Sequence, residues 1–284
     1  MLSRRSFLAS ASALAASGAL AQGDAFTSRI AALEARHGGR LGVAVIDAAR
    51  NSERAHRGDD RFAMCSTHKM LSAAFALWRA QRGEENLSRV IPYAKSDLVT
   101  YSPVTEKHVG AGMSVKDLCA AAITLSDNTA ANLLFASFGG PAGLTNFLRL
   151  LGDDVTRCDR IEPALNEATP GDPRDTSTPL AFARTMQKLL LGDALNASSQ
   201  AQLAQWLIDN KTGDERLRAG VPKDWRVGDK TGTGEHNTTN DVAIFWRTDR
   251  APLIVTVFYA QANAPLAQRN AVIADVARAV ASST

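Results

Sequence analysis

Val242-Ala243-Ile244-Phe245-Trp246 and, beyond Thr248-Asp249-Arg250, Leu253-Ile254-Val255-Thr256-Val257-Phe258-Tyr259 are two short runs rich in β-branched and aromatic residues. With a turn-forming tripeptide between them they predict two strands joined by a hairpin. Leu41 to Ile46 has the same character near the other end of the chain, and Asp47 to Ser52 reads as the turn behind it. Between these ends the period changes. Leu71, Ala74, Phe75 and Trp78 fall at i, i+3, i+4 and i+7 and stop before Gly83, which predicts a helix with one apolar stripe. Ser114 to Asp117 predicts a capping box ahead of Leu118, Ala121, Ala122 and Leu125. Pro141 opens and Gly152 closes a further helix striped by Leu144, Phe147, Leu148 and Leu151. Helical periodicity also covers 179–191, 199–210 and 264–281. Strands at both ends with helices between predict an α+β fold. Residues 26–60 and 212–284 build an antiparallel sheet domain, packed against a helical domain of residues 61–211.

Composition bounds the function. The chain has 284 residues, 45% hydrophobic and 21% charged, which suits a globular enzyme with a sizeable core. Its net charge is +3, and two of those charges are Arg4 and Arg5 in a leader expected to be removed. What is left, about +1, is too small to point to nucleic acid or a membrane surface. The leader is residues 1–21: Arg4 and Arg5, an apolar, small-residue run from Phe7 to Leu20, and the Ala-x-Ala site Ala19-Leu20-Ala21. That run is too short to span a bilayer once Ser and Gly are discounted. Ser3-Arg4-Arg5-Ser6-Phe7-Leu8 is similar to the twin-arginine export signal of bacteria; the alternative is a general secretory signal with two chance arginines. Both predict a periplasmic or secreted protein, cut near Ala21, with no membrane anchor afterwards. Cys65, Cys119 and Cys158 are odd in number and lack Cys-x-x-Cys spacing, against a disulfide framework or a zinc site. His37, His56, His68, His108 and His236 show no metal-ligand spacing either.

Four short motifs carry chemistry. Ser66-Thr67-His68-Lys69 lies just ahead of the first apolar stripe. A serine at a helix N-terminus sits among free backbone N–H groups and the positive end of the dipole, and Lys69, three residues on, shares its face. His68 faces elsewhere and is given no role. Alone, the motif reads first as a helix cap followed by a solvated lysine. Ser126-Asp127-Asn128 falls in a helix–helix connection: Ser126 can relay a proton, Asn128 can hydrogen-bond an amide, and Asp127 can hold the turn, although all three types are also ordinary cap formers. Lys230-Thr231-Gly232-Thr233 is expected on an edge strand beside the Ser66 helix. There Lys230 and the two hydroxyls attract a carboxylate, Gly232 allows close approach, and the N–H of Thr233 joins that of Ser66 as an oxyanion hole; a lysine that merely protects a sheet edge is the bland reading. Glu162-Pro163-Ala164-Leu165-Asn166 lies in an aperiodic stretch, Arg157 to Asp175, and long ordered loops are usually functional. Glu162 and Asn166 can hold one water between them. Exact tripeptides such as Ser-Asp-Asn and Lys-Thr-Gly are each rare in a chain of this length, so their joint order is informative.

In these motifs, and from about residue 26 to the C-terminus, the chain resembles the class A serine β-lactamases. The resemblance implies the serine β-lactamase and penicillin-binding-protein fold and a β-lactam substrate, hydrolysed as a cyclic amide through a Ser66 acyl-enzyme, giving antibiotic resistance. It implies Ser66, Lys69, Ser126, Glu162 and Asn166 as catalytic residues. Asn128, Lys230, Thr231, Gly232 and Thr233 bind substrate, joined by Tyr101 on the cleft wall and Arg216 as a carboxylate partner; a surface tyrosine and a surface arginine are the alternatives at those two positions. Residues 157–175 become an Ω-loop closed by Arg160 and Asp175, with Asp127 structural. Some members bridge the Cys65 position to one held here by Gly234, others the Cys119 position to one held here by Ala73, so no disulfide is expected. Cys65, Thr233-Gly234 and Asp229 are most like the broad-spectrum, cefotaximase-like branch. Asn270, beside Arg269, stands where that branch has an arginine, leaving Arg216 as a substitute. No cofactor and no metal are implied, and the protein is expected to be a monomer.

Two other classes share part of this set. Cell-wall DD-peptidases use the same serine and lysines without a water-activating glutamate and usually carry a membrane anchor. A β-lactam-sensing binding domain would acylate without turnover.

Overall fold

The computed structural model describes residues 25–50 and 52–283, so the expected leader, 1–21, lies outside the described residues. In chain order the strands are β1 (Arg40–Asp47), β2 (Ser52–His56), β3 (Phe62–Ala63), β4 (Val90–Ile91), β5 (Met113–Ser114), β6 (Thr176–Ser177), β7 (Arg226–Thr233), β8 (Thr239–Trp246) and β9 (Leu253–Ala260). The α-helices are α1 (25–37), α2 (His68–Gln81), α3 (Val115–Thr124), α4 (Asn128–Ser137), α5 (Gly140–Leu150), α6 (Pro179–Leu190), α7 (Ala197–Ile208) and α8 (Leu266–Ala281). One antiparallel sheet has the order β2-β1-β9-β8-β7, so strands from the two ends of the chain meet at the β1–β9 pairing, Val43 opposite Val257. The α+β fold read from the sequence is the one observed.

Both faces of this sheet are covered, and side chains alternate between them as strand geometry requires. Leu41, Val43 and Val45 join Leu253, Val255, Val257, Phe245 and α8 in one core. Ala44, Ile46, Val242, Ile244, Ile254 and Phe258 face the helical half. A strand buried on both sides loses its polar alternation, which is why these segments read as continuous apolar runs although the pairing is antiparallel. Phe26 and Ile30 anchor α1 on the α8 side, a helix the sequence pattern does not single out.

α2 departs from its single-stripe expectation. Residues His68 to Leu77 are all buried, because α3, α4, α5 and α7 all pack around it. A helix enclosed on every side buries its polar positions too, so His68, Lys69 and Ser72 sit in the interior. Of the capping box expected at Ser114 one half is present: Ser114 Oγ accepts from Asp117 N at 3.1 Å, but the Asp117 carboxylate accepts from Ser114 Oγ rather than from the Ser114 N–H. Asp127 caps α4 through Ala130 N at 2.8 Å. The two-residue pairs β3–β6 and β4–β5 are too short to leave a period in the sequence. Among the described residues no helix is long and apolar enough to cross a membrane.

Phe182 on α6 is fully buried and meets the ring of Phe258 on β9 edge-on, 5.8 Å between centroids. Phe182→Ala should lower unfolding stability by about 3–5 kcal/mol, read from urea midpoints. Arg184→Ala on the exposed side of the same helix should change it by no more than about 1 kcal/mol.

Candidate active site

Ser66 lies in the short 3-10 turn Cys65–Thr67 that runs directly into α2. Cys65 has φ 47° there, and Ser126 (φ 58°), Tyr101 (φ 65°) and Asp175 (φ 56°) share the left-handed region. Such backbone costs an L-residue about 1–2 kcal/mol; Ser126 and Tyr101 line the cleft described below, and Cys65 immediately precedes Ser66. Strain held by surrounding structure is common at functional sites.

Lys69 Nζ is the hub. It lies 2.8 Å from Ser66 Oγ, 2.9 Å from the Ser126 carbonyl, 3.3 Å from Ser126 Oγ, 2.6 Å from Asn128 Oδ1 and 2.9 Å from Glu162 Oε1. Lys69 and Glu162 are both fully buried; the solvated-lysine alternative is excluded by that burial. Ser66 Oγ stands 3.4 Å from Glu162 Oε1. Asn166 Nδ2 donates to Glu162 Oε2, and its Oδ1 is buried with no hydrogen-bond partner among the described residues. Burial alone would raise the Glu162 pKa, but the Lys69 charge and a hydrogen bond from His68 outweigh it and bring it to about 2. Burial pushes the Lys69 ammonium down, opposed chiefly by Glu162.

β7 forms the edge of the sheet, as expected, and places Lys230 behind the cleft. Lys230 Nζ donates to Ser126 Oγ at 3.1 Å and to the Thr231 carbonyl at 2.9 Å. It is fully buried, against the role of an edge-protecting lysine. Desolvation, then repulsion from Lys69, lowers its pKa to about 7. Gly232 is constrained by the protein itself: an added Cβ would stand 2.7 Å from the Met64 carbonyl, in the turn beneath Ser66. Close approach of a ligand is therefore not needed to explain this glycine. Arg216 is buried rather than on the surface. Its guanidinium donates to Asn270 Oδ1 at 2.9 Å, to the Gly232 and Asn240 carbonyls at 3.0 and 2.7 Å, and to Thr233 Oγ1 at 2.7 Å.

A cleft of about 300 Å³ opens over this set. Ser66, Ser126, Asn128 and Asn166 line it, with Thr231, Gly232, Thr233 and Arg216 from the sheet side and Tyr101, 57% exposed, at its edge. Lys69, Lys230 and Glu162 lie behind it. Asp127 turns inward: its carboxylate accepts from Val104 N and Thr105 N, both at 2.9 Å, besides capping α4. Arg160 Nε donates to Asp175 Oδ2 at 2.6 Å, and Asp175 Oδ1 accepts from Asp159 N and Arg160 N. This pair ties the two ends of the 157–175 segment together.

Asn132 and Thr212 at the site are absent from the sequence reading, Asn270 is named there only by its position, and His68, expected to face elsewhere without a role, instead turns to Glu162 across the fold. Asn132 on α4 brackets the Glu162 backbone, donating to its carbonyl and accepting from its N–H, both at 2.9 Å. Thr212 meets Thr231, Asn270 holds Arg216, and His68 reaches Glu162. Only Asn270 carried a positional signal. The three cysteines are buried and free, and a Cβ on Gly234 would lie 2.6 Å from Cys65 Sγ. Among the described residues no group of His, Cys, Asp or Glu is placed to hold a metal ion.

A buried serine paired with a lysine, a second lysine sharing a hydroxyl with the first and an ionised glutamate beside them form a set suited to acyl transfer followed by hydrolysis. Comparison with known proteins identifies the family. The model of the Beta-lactamase enzyme family matches residues 25–283. Beta-lactamase OXY-2 of Klebsiella oxytoca is 48% identical over 268 residues, covering 94% of this chain and 92% of that protein. Beta-lactamase CTX-M-8 of Citrobacter amalonaticus is 48% identical over 260 residues, covering 92% and 89%. The solved structure of the ancestral Gram-negative class A β-lactamase superposes with a TM-score of 0.91 at 61% identity, covering 91% of this chain and all of that one. The chain belongs to the β-lactamase enzyme family and is a class A serine β-lactamase.

Asp127→Ala should remove one helix cap and leave two further backbone donors unpaired. The expected loss is about 2–4 kcal/mol, seen as a lower urea midpoint at unchanged slope.

Proposed function

We propose that the enzyme opens the ring of penicillins and cephalosporins through a covalent intermediate on Ser66, which a water activated by Glu162 then hydrolyses. Ser66 Oγ attacks the ring carbonyl and loses its proton to one of the two groups it touches, Lys69 directly or Glu162 through water. The C–N bond breaks, and the ring nitrogen takes a proton through Ser126, whose hydroxyl lies between the two lysines. The N–H groups of Ser66 and Thr233 receive the oxyanion. In the second half, Glu162 takes a proton from water as its oxygen attacks the ester, and that proton returns to Ser66 Oγ. Lys230, Thr231, Thr233 and Arg216 hold the substrate carboxylate, Asn128 its side-chain amide, and Tyr101 the cleft wall. Asn166, Arg160, Asp175 and Asp127 keep Glu162 and the connection around Ser126 in place, with residues 157–175 acting as the Ω-loop.

The observation that carries this reading is the position of Glu162: an ionised carboxylate 3.4 Å from Ser66 Oγ, bonded to an asparagine with a spare acceptor. A DD-peptidase or a sensing domain has no use for that carboxylate. The Gly234 side of the cleft lacks a cysteine to bridge to Cys65, and carbapenem turnover is not expected. The leader expected from the sequence supports action in the periplasm, where hydrolysis would protect the cell from antibiotic.

Glu162→Ala should acylate with nitrocefin and then stall, with adduct mass persisting in intact-protein spectrometry and turnover reduced by about 10²–10⁴. Rapid turnover by that variant would remove Glu162 from the mechanism, and single-turnover colour change by the wild type would favour the sensing reading. The pH profile tests Lys230. Its charge is present below about pH 7 and lost above it, so kcat/KM should fall as pH rises through that value. At saturation kcat should hold to higher pH, because a bound carboxylate favours the ammonium. Lys230→Arg, always charged, should abolish that limb in initial-rate measurements.

A further inference from the structure

We propose that His68 is a positioning residue for Glu162, donating from Nε2 to Oε1 and fixing the carboxylate while it activates water; this rests on the hydrolytic role given to Glu162 above. The ring is fully enclosed on α2. Its Nε2 lies 3.4 Å from Glu162 Oε1, its Nδ1 lies 3.4 Å from Ser72 Oγ, and its face stacks on Phe135 of α4 with centroids 5.0 Å apart and planes within 10°. An ionised carboxylate only accepts hydrogen bonds, so Nε2 must carry a proton. In a neutral ring Nδ1 is then an acceptor, and the Ser72 hydroxyl donates to it. The carboxylate thereby fixes the tautomer, Ser72, one turn along the helix, satisfies the other ring nitrogen, and the Phe135 stack fixes the plane of the ring.

The carboxylate is consequently held from both ends. Lys69 and His68 bond Oε1, and Asn166 bonds Oε2. Only the Lys69 contact also serves Ser66, so His68 can orient Glu162 without competing for the nucleophile. The groups facing the ring are Glu162 and Asp175 from the 157–175 segment, Lys69 on its own helix, and the buried thiols Cys65 and Cys158, while α4 presents Phe135. Burial depresses the imidazolium, with Lys69 acting in the same direction against Glu162 and Asp175, which agrees with a neutral ring that has one proton to give. A donor to the charged form of Glu162 favours that form, so His68 also extends the acid range over which Glu162 is a base.

The test uses the full mature chain. In 15N spectra of the labelled protein at neutral pH, with His68→Phe as the assignment control, Nε2 should carry the proton and Nδ1 should not; a proton on Nδ1 would overturn the proposal. Deacylation rates are then followed from about pH 2 to 8, a range that includes the acid limb of Glu162, in the wild type, His68→Phe and His68→Gln. Phe keeps the stack on Phe135 without the donor, and Gln restores a donor near the Nε2 position. His68→Phe should deacylate about tenfold more slowly or worse, with its acid limb displaced to higher pH, and His68→Gln should recover both in part. Wild-type rates and an unmoved limb in His68→Phe, or no recovery in His68→Gln, would sink the inference. Glu162→Ala run in parallel separates the two failures. If it stalls while His68→Phe behaves as wild type, only this inference falls; if it turns over freely, the reading of Glu162 falls first.

Discussion

The dry ion pair between Lys69 and Glu162 is the constraint on which the site depends. Taking either charge out of water costs several kcal/mol even after relaxation, and a pair repays that only with good geometry and additional hydrogen bonds. Here the extra partners come from different parts of the chain: Ser66 from the turn before α2, the Ser126 carbonyl from the α3–α4 connection, Asn128 from α4, and Asn166 from the 157–175 segment. None of these segments can withdraw without leaving a buried charge short of partners. The irregular segment has no periodic apolar face of its own. It is held through Leu165 in the core, the Arg160–Asp175 clasp and this charge. Its backbone at Glu162 is further fixed by Asn132.

The second lysine shows how the same burial sets the sign of the cleft. Lys69 and Lys230 share the Ser126 hydroxyl, and only Lys69 has a carboxylate in contact. Asp229 precedes Lys230 in the chain but spends its carboxylate on Arg218 and Asn210. Lys230 is therefore a cation short of an anion at the back of a cleft, which an incoming carboxylate can supply. Arg216, carried on the carbonyls of Gly232 and Asn240, adds a permanent charge beside it. A site of this kind favours anionic substrates before any shape is considered.

Much of this was legible from residue order. The strands were readable because both faces of the sheet are buried, so β1, β8 and β9 each carry a mainly apolar run, Leu41 to Ile46, Val242 to Trp246 and Leu253 to Tyr259. The motifs were readable because their spacing is local: Ser66 and Lys69 are neighbours on one helical face, and Ser126 to Asn128 form one turn. The contributions of His68, Asn132, Thr212 and Asn270 were not legible, because each contact is made across the fold. His68 meets a residue 94 positions away, and Asn132 one 30 away. The stripe on α2 misled for a related reason. Periodicity reports an apolar side, and it cannot tell that the opposite side, where Lys69 lies, is covered as well.

The proposed hydrolysis differs from a stalled acyl-enzyme in its second half, the attack of water on the ester. In the proposed mechanism Ser66 and the two lysines serve to form the ester, and the distinguishing parts are those that aim Glu162 at it. Glu162 sits on a loop, and a carboxylate on a loop has rotamer freedom that a base must lose before it can act. Asn166 restricts it through one oxygen from the same loop, and would move with it. Lys69 and His68 restrict it through the other oxygen from α2, the element that also follows directly from Ser66. Anchoring the base to the helix that positions the nucleophile makes their separation a property of one rigid element rather than of two independently moving segments.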